Sequence, residues 1–213
     1  LRARLDDLAR RAGRLWTPLC SRFLTQEERS LAQRCARENG VLAAFDGGWE
    51  GAERSQCCFY PDGLEPDFTG VWLEVSWNAK FAAVDHRVLL GSVMALGMDR
   101  SLLGDMVIEG DHAYIRAVPE LAARLPQELT RVGSAAVKVR ERSEPPAITP
   151  PKGTELRDTV ASLRLDSVLS SGMKTSRAKA TEWIRQGAVQ VNHTATERID
   201  QQLEADDLIS VRG

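Results

Sequence analysis

In the stretch RAKATEWIR, Arg177, Thr181 and Arg185 recur every four residues. In a helix that spacing sets them on one face, with the two arginine backbones ~12 Å apart at ~1.5 Å rise per residue. Arg164 and Lys174 precede them, Thr175, Ser176, Lys179 and Gln186 lie in or beside the run, and Asn192 follows. Guanidinium forks, hydroxyls and the free amides of a helix start are the donors that grip phosphate oxygens. The chemistry within reach is docking of a phosphate backbone. Charge alone does not establish it. Five basic residues on two short helices also describe a solvated face, and Glu182 could pair with Arg185 or Lys179.

A second constellation, Asp85-His86-Arg87, holds groups suited to acid/base work, with Arg100 further along. No motif sets a nucleophile beside it, so helix capping or RNA contact is the reading, not catalysis. Walker-type and dinucleotide-type glycine loops are missing, and the segment GMKTS lacks the nucleotide motif that would make its lysine part of a synthetase loop. Tyr114 reads as a half-buried strand residue rather than a base-stacking platform, since the aromatic signature of RNA recognition motifs is missing. Cys20, Cys35, Cys57 and Cys58 form no Cys-x-x-Cys pair, and three scattered histidines complete no zinc site. Buried free thiols in a reducing cytoplasm are expected. No catalytic residue, metal site or cofactor is assigned.

The 213 residues suffice for two or three small domains, and 27% charged residues with 43% hydrophobic ones describe a globular protein. A net charge of -2 excludes a general polycation, so any nucleic-acid contact must be local. The charge is indeed uneven: residues 1–24 carry a surplus of four positive charges and residues 164–192 a surplus of three. No apolar run approaches the ~18 residues of a membrane span. The first residues lack the apolar core of a signal peptide, and the chain opens on Leu1 rather than Met, so missing native residues are expected before it.

The elements that must position these groups fall into segments. Residues 143–155 hold four of the nine prolines and read as an extended linker. Before it, residues 71–142 alternate as strand, helix, hairpin, helix and strand, a β-α-β-β-α-β plait of ferredoxin-like or RRM-like type. Its first helix is predicted to stop at Gly97, its hairpin to turn at Gly110-Asp111, and Pro126 to break or kink the second helix. Residues 1–70 read as a small α/β unit: helices over 2–14 and 26–39, the second with a Thr25/Glu28 capping box, and strands at VLAAF and QCCFY. Residues 156–213 read as helix, turn, helix and strand, with Gly172 as a left-handed cap, Thr175 or Ser176 capping the second helix, and Ala180, Trp183 and Ile184 facing inward. The fold class is α+β throughout.

The run RLDSVLSSGMKTSRAKATEWIRQGAVQVN, with the closing DDLISVRG, resembles the S-four RNA-binding domain named after small-subunit ribosomal protein four. That pattern has Arg-Leu-Asp, a Ser-Arg pair opening the second helix, Ile-x-x-Gly, Val-x-Val-Asn and a final Asp-x-Ile-x-Val-Arg. All are present in order. His193 stands where a glycine usually follows Asn192, and Ala205 where one often precedes Asp206. The middle segment is similar to YlmH-type proteins, which carry a plait before a C-terminal S-four domain. Their His-Arg, Leu-Gly-Ser, Leu-Gly, Arg and Gly-Asp positions match His86-Arg87, Leu90-Gly91-Ser92, Leu96-Gly97, Arg100 and Gly104-Asp105, with Val88 in place of a common acidic residue.

The resemblance implies a cytoplasmic, monomeric, non-catalytic factor. It would bind the large ribosomal subunit, contact rRNA and tRNA rather than DNA or membrane, and help to rescue stalled translation. It also carries RNA contact to Arg164, Lys174, Thr175, Ser176, Arg177, Lys179, Arg185, Gln186 and Asn192, and to His86, Arg87 and Arg100. Two alternatives stay open: an RNA-modifying enzyme, of pseudouridine synthase or rRNA methyltransferase class, that docks through the S-four-type domain, and a protein-binding adaptor.

Overall fold

The computed structural model describes residues 1–79, 83–148, 155–192 and 194–212. The chain divides into two compact units, Leu1–Pro150 and Pro151–Gly213. Residues 149–154 of the predicted linker, and His193, lie outside the described residues.

In the first unit, α1 (Arg2–Leu15) buries Leu5, Ala9 and Ala12, one face of a 3.6-residue repeat. It stops at Trp16, which adopts the left-handed conformation (φ 51°). After β1 (Leu19–Leu24), helix α2 (Gln26–Glu38) begins at the predicted box: Thr25 accepts from the amide of Glu28, whose carboxylate accepts from that of Thr25. β2 (Leu42–Asp46) and β3 (Ser55–Tyr60) complete a sheet of order β1-β3-β2. β1 escapes the sequence reading for a physical reason. Its register with β3 shifts between Cys20 and Phe23, so the two-residue alternation that marks a strand slips phase.

The plait follows as β4 (Val71–Trp77), α3 (His86–Met94), a short 3-10 turn, β5 (Leu103–Glu109), β6 (His112–Ala117), α4 (Pro119–Glu128), β7 (Arg131–Val132) and β8 (Ala135–Arg142). The order β5-β6-β4-β8-β7, with every neighbour antiparallel, is the β-α-β-β-α-β arrangement extended by one short hairpin. Asp85 caps α3 by accepting from the amide of Val88 at 2.8 Å. The helix ends at Met94, three residues before Gly97, which takes the positive φ of the following turn. Contrary to the sequence expectation, α4 runs through Pro126 to Glu128. Pro126 sits in the last turn and forfeits only the bond to the carbonyl of Ala122.

One hydrophobic core, including Leu73, Val75, Leu89, Val93, Ile115, Leu121 and Leu125, also takes in Phe23 of β1. Polar contacts tie the first sheet to the plait as well. Arg54 donates to the carbonyls of Phe23 (2.9 Å) and Leu103 (3.2 Å), and Asp105 accepts from the amides of Glu53 and Arg54. Gly104 is required here, because a Cβ would stand 2.7 Å from the Phe23 ring.

The second unit holds α5 (Leu165–Gly172), α6 (Arg177–Arg185) and a three-stranded sheet of β9 (Val189–Val191), β10 (Thr194–Ala195) and β11 (Ile209–Val211), with β9 central. Leu165, Leu169, Ala180, Ile184, Val189, Val191 and Leu203 form its core, with Trp183 packed against it.

Candidate nucleic-acid interface

Two helix ends shape the site. Between α5 and α6 the chain turns through a Schellman motif: the amide of Thr175 donates to Ser170 and that of Lys174 to Ser171. The left-handed residue is Lys174 (φ 49°), not Gly172 as the sequence suggested; Gly172 is the last residue of α5. A lysine held this way is exposed at the apex of the turn. Ser176 then caps α6, its hydroxyl accepting from the amide of Lys179 (3.2 Å). The first amides of α6 and the Ser176 O–H keep donor capacity. Gly187, with φ 66°, closes the far end of α6 through a second Schellman pair.

The centre of the site is Asp166, in the first turn of α5, with a side chain only 7% exposed. One carboxylate oxygen accepts from Arg164 Nε at 3.1 Å and the other from Arg177 Nε at 3.0 Å. Burial pushes the Asp166 carboxyl up, but the two arginines outweigh it and hold the group below the usual carboxylate range. The geometry at the guanidiniums matters most. Each spends its Nε–H on the carboxylate and keeps both terminal nitrogens, with four N–H donors, for a ligand. Arg164 and Arg177 are 38% and 56% exposed. The result is a pair of fixed forks beside the lysine apex and the start of α6.

The remaining candidates divide. Arg185 is exposed, with no side-chain bond among the described residues. Lys179 (3.3 Å) and Gln186 (3.0 Å) both turn to Glu182, and Lys179 also lies over the Trp183 ring. These pairs are solvent-exposed and weak, so both side chains can exchange partners. Thr175 is half-buried in the turn. Asn192 serves the fold: with φ 50° it donates to Asp207 (2.7 Å) and accepts from the amide of Leu208, pinning the β9 end to the loop before β11. Asp206 supplies the positive φ in that loop, so Ala205 needs no glycine-like backbone.

In the first unit, His86 and Arg87 are exposed in the first turn of α3. Arg100 is part of the scaffold: it donates to the carbonyls of Leu103 and Gly104, and burial lowers its pKa. The residue whose role sequence reasoning missed is Asp166, which figured there only in the net charge and as the last residue of the Arg-Leu-Asp motif. Its signal was a single carboxylate two residues after Arg164, inside a basic cluster. No group of His, Cys, Asp and Glu among the described residues could hold a metal ion, and no helix among them is long and apolar enough to cross a membrane.

Residues 64–144 match the family model described as "Putative RNA-binding domain in YlmH", and residues 163–209 match the S4 domain. The chain is 32% identical over 195 residues to ribosome-associated protein quality control protein P2 of Bacillus subtilis (strain 168), across 90% of this chain and 76% of that protein. Among solved structures, cell division protein ylmH from Streptococcus pneumoniae matches with a TM-score of 0.57 over 66% of this chain and 87% of that one. At 18% identity this is a likeness of fold.

Proposed function

The chain belongs to the YlmH-type family of RNA-binding proteins, and on that premise we propose that it is a non-catalytic factor docking on structured RNA of the large ribosomal subunit, in rescue or quality control of stalled translation. The observation that carries this reading is the Asp166 clamp, which spends only Nε atoms and leaves two arginine forks pointing outward. Phosphates of rRNA engage Arg164, Arg177, Arg185 and Lys174. The hydroxyls of Thr175 and Ser176 and the first amides of α6 add neutral donors, and Lys179 and Gln186 join by leaving Glu182. Asn192 and Arg100 shape the loops that carry neighbouring contacts.

The name of the Bacillus subtilis relative, a ribosome-associated quality control protein, supports the ribosomal setting. The factor works as a cytoplasmic monomer, and tRNA on the same subunit is its second RNA partner. The plait, with His86 and Arg87, adds a contact on the same tether, so that two modest affinities combine through effective concentration. The parts are residues 1–70, 71–142, the linker 143–155 and 156–213.

The test is co-sedimentation of the full chain with purified large-subunit particles. Arg177→Glu with Arg185→Glu should abolish it while the circular dichroism spectrum stays native; undiminished co-sedimentation would falsify the reading. The non-catalytic part is checked by mass mapping rRNA from a deletion strain, where every modification should persist.

A further inference from the structure

The plait sheet has two faces, and its core uses one. Leu73, Val75 and Trp77 of β4, with Ala113, Ile115 and Ala117 of β6, point into the helices. Side chains directly opposite in an antiparallel register share a face. The pairs Trp72–Arg142, Glu74–Arg140 and Ser76–Lys138, and Trp72–Arg116, Glu74–Tyr114 and Ser76–His112, therefore build the other face. The N-terminal layer covers one end of it: Asp46 pairs with Arg116 at 3.0 Å, and a Cβ on Gly48 would stand 2.7 Å from the Trp72 ring. Beyond that cover lie Tyr114, Lys138, Arg140 and Arg142.

These four share one sheet face. Buried Glu74 accepts from Arg140 and Arg142, both at 2.7 Å, which fixes the two guanidinium planes. Arg142 lies over the Tyr114 ring, 5.4 Å from its centroid. Arg140 is nevertheless 71% exposed, and Lys138 is exposed without an ion pair among the described residues. Glu74, with Glu109 on the neighbouring strand, offsets part of the positive charge, so phosphate attraction alone is modest here. Planar π surfaces with a residual cation suit unpaired bases, which stack on aromatic rings and guanidinium planes; a duplex keeps its bases stacked inside.

We propose that this open sheet face is a second RNA site that takes an unpaired single strand, with bases on the Arg142–Tyr114 stack and the Arg140 plane and a phosphate at Lys138. The inference rests on the RNA-binding reading above and adds the surface and the kind of RNA.

The experiment is fluorescence anisotropy of the full chain with a short labelled oligouridine and, separately, an RNA hairpin. Tyr114→Ala with Lys138→Glu should lower oligouridine affinity about tenfold, the effect of losing one stacked base, and leave the hairpin unchanged. Lys138→Glu alone, at an exposed unpaired position, keeps the fold and should still weaken oligouridine binding, while Tyr114→Phe should retain it. Arg177→Glu with Arg185→Glu should do the reverse, weakening the hairpin. Unchanged oligouridine affinity in the sheet variants overturns the proposal, as does an equal loss on the hairpin. Sheet variants that keep oligouridine but lose the ribosome would give this face to a protein and overturn it too. If the α6 variant leaves co-sedimentation intact, the ribosomal reading fails by its own test; if only the sheet variants are inert, this inference fails alone.

Discussion

The molecule contains the same small constellation twice: a buried carboxylate gripped by two arginines. Asp166 holds Arg164 and Arg177 in the second unit; Glu74 holds Arg140 and Arg142 in the first. Both carboxyls are pushed up by burial and more than compensated by their arginines. The difference lies in which nitrogens are spent. Asp166 takes the Nε of each partner and leaves the forks whole. Glu74 takes terminal nitrogens, Arg140 Nη2 and Arg142 Nη1, so each fork is already half used. Equal charge thus leaves two whole forks in one place and two half-used ones in the other. Counting basic residues cannot separate the two, but naming the donating atom does.

The comparison breaks most visibly at the carboxylates. Asp166→Ala should destabilise the second unit by about 2 kcal/mol, the scale of hydrogen bonds to a charged group, and also cost RNA affinity because both forks lose their anchor. Glu74→Ala should destabilise the first unit by about 3 kcal/mol, since Arg142 is left more buried and unpaired, yet leave hairpin binding intact. Thermal melts with anisotropy on the same samples separate these outcomes; matching losses of affinity would erase the distinction drawn here.

A smaller effect is expected from Arg164→Lys. The charge persists, but an ammonium cannot bond Asp166 and still present a fork, so hairpin affinity should fall roughly fivefold with stability nearly unchanged. An Arg164→Lys variant that binds as well as wild type would show that charge, not geometry, is what counts.

Acid gives the mildest perturbation. Because the folded Asp166 carboxyl is held below its ordinary value of about 3.9, its stabilisation is complete above that pH and disappears as pH falls through the lower folded value. Melting temperature should therefore decline on acidification below about pH 4, and less so in Asp166→Asn. Equal declines in both proteins would remove Asp166 from the explanation.

How much of this could be read from residues alone varies by region. The plait order, the Thr25/Glu28 box and the α5-turn-α6-strand order follow from periodicity and punctuation, which are local. The bulged strand β1 does not, because its phase is set by β3, thirty-eight residues later in the Cys20–Cys58 pair. Lys174 as the left-handed residue was hidden by Gly172, the better glycine-type candidate two positions earlier. The basic residues of the site were legible, but the role of the carboxylate that aims them was not. Its role depends on bringing residues 164, 166 and 177 together across two helices, which only the packing of Leu165, Leu169, Ala180 and Ile184 achieves.

The salt dependence of binding to purified large-subunit particles tests the central claim most directly. If Arg164, Lys174, Arg177 and Arg185 each meet a phosphate, log affinity should fall linearly with log salt at a slope of roughly -3 to -4, about 0.9 per contact. The slope should lose about two units in the charge-neutral variant Arg177→Gln with Arg185→Gln, which still binds. A flat salt profile, or a slope unchanged in the double variant, would contradict phosphate docking by this face.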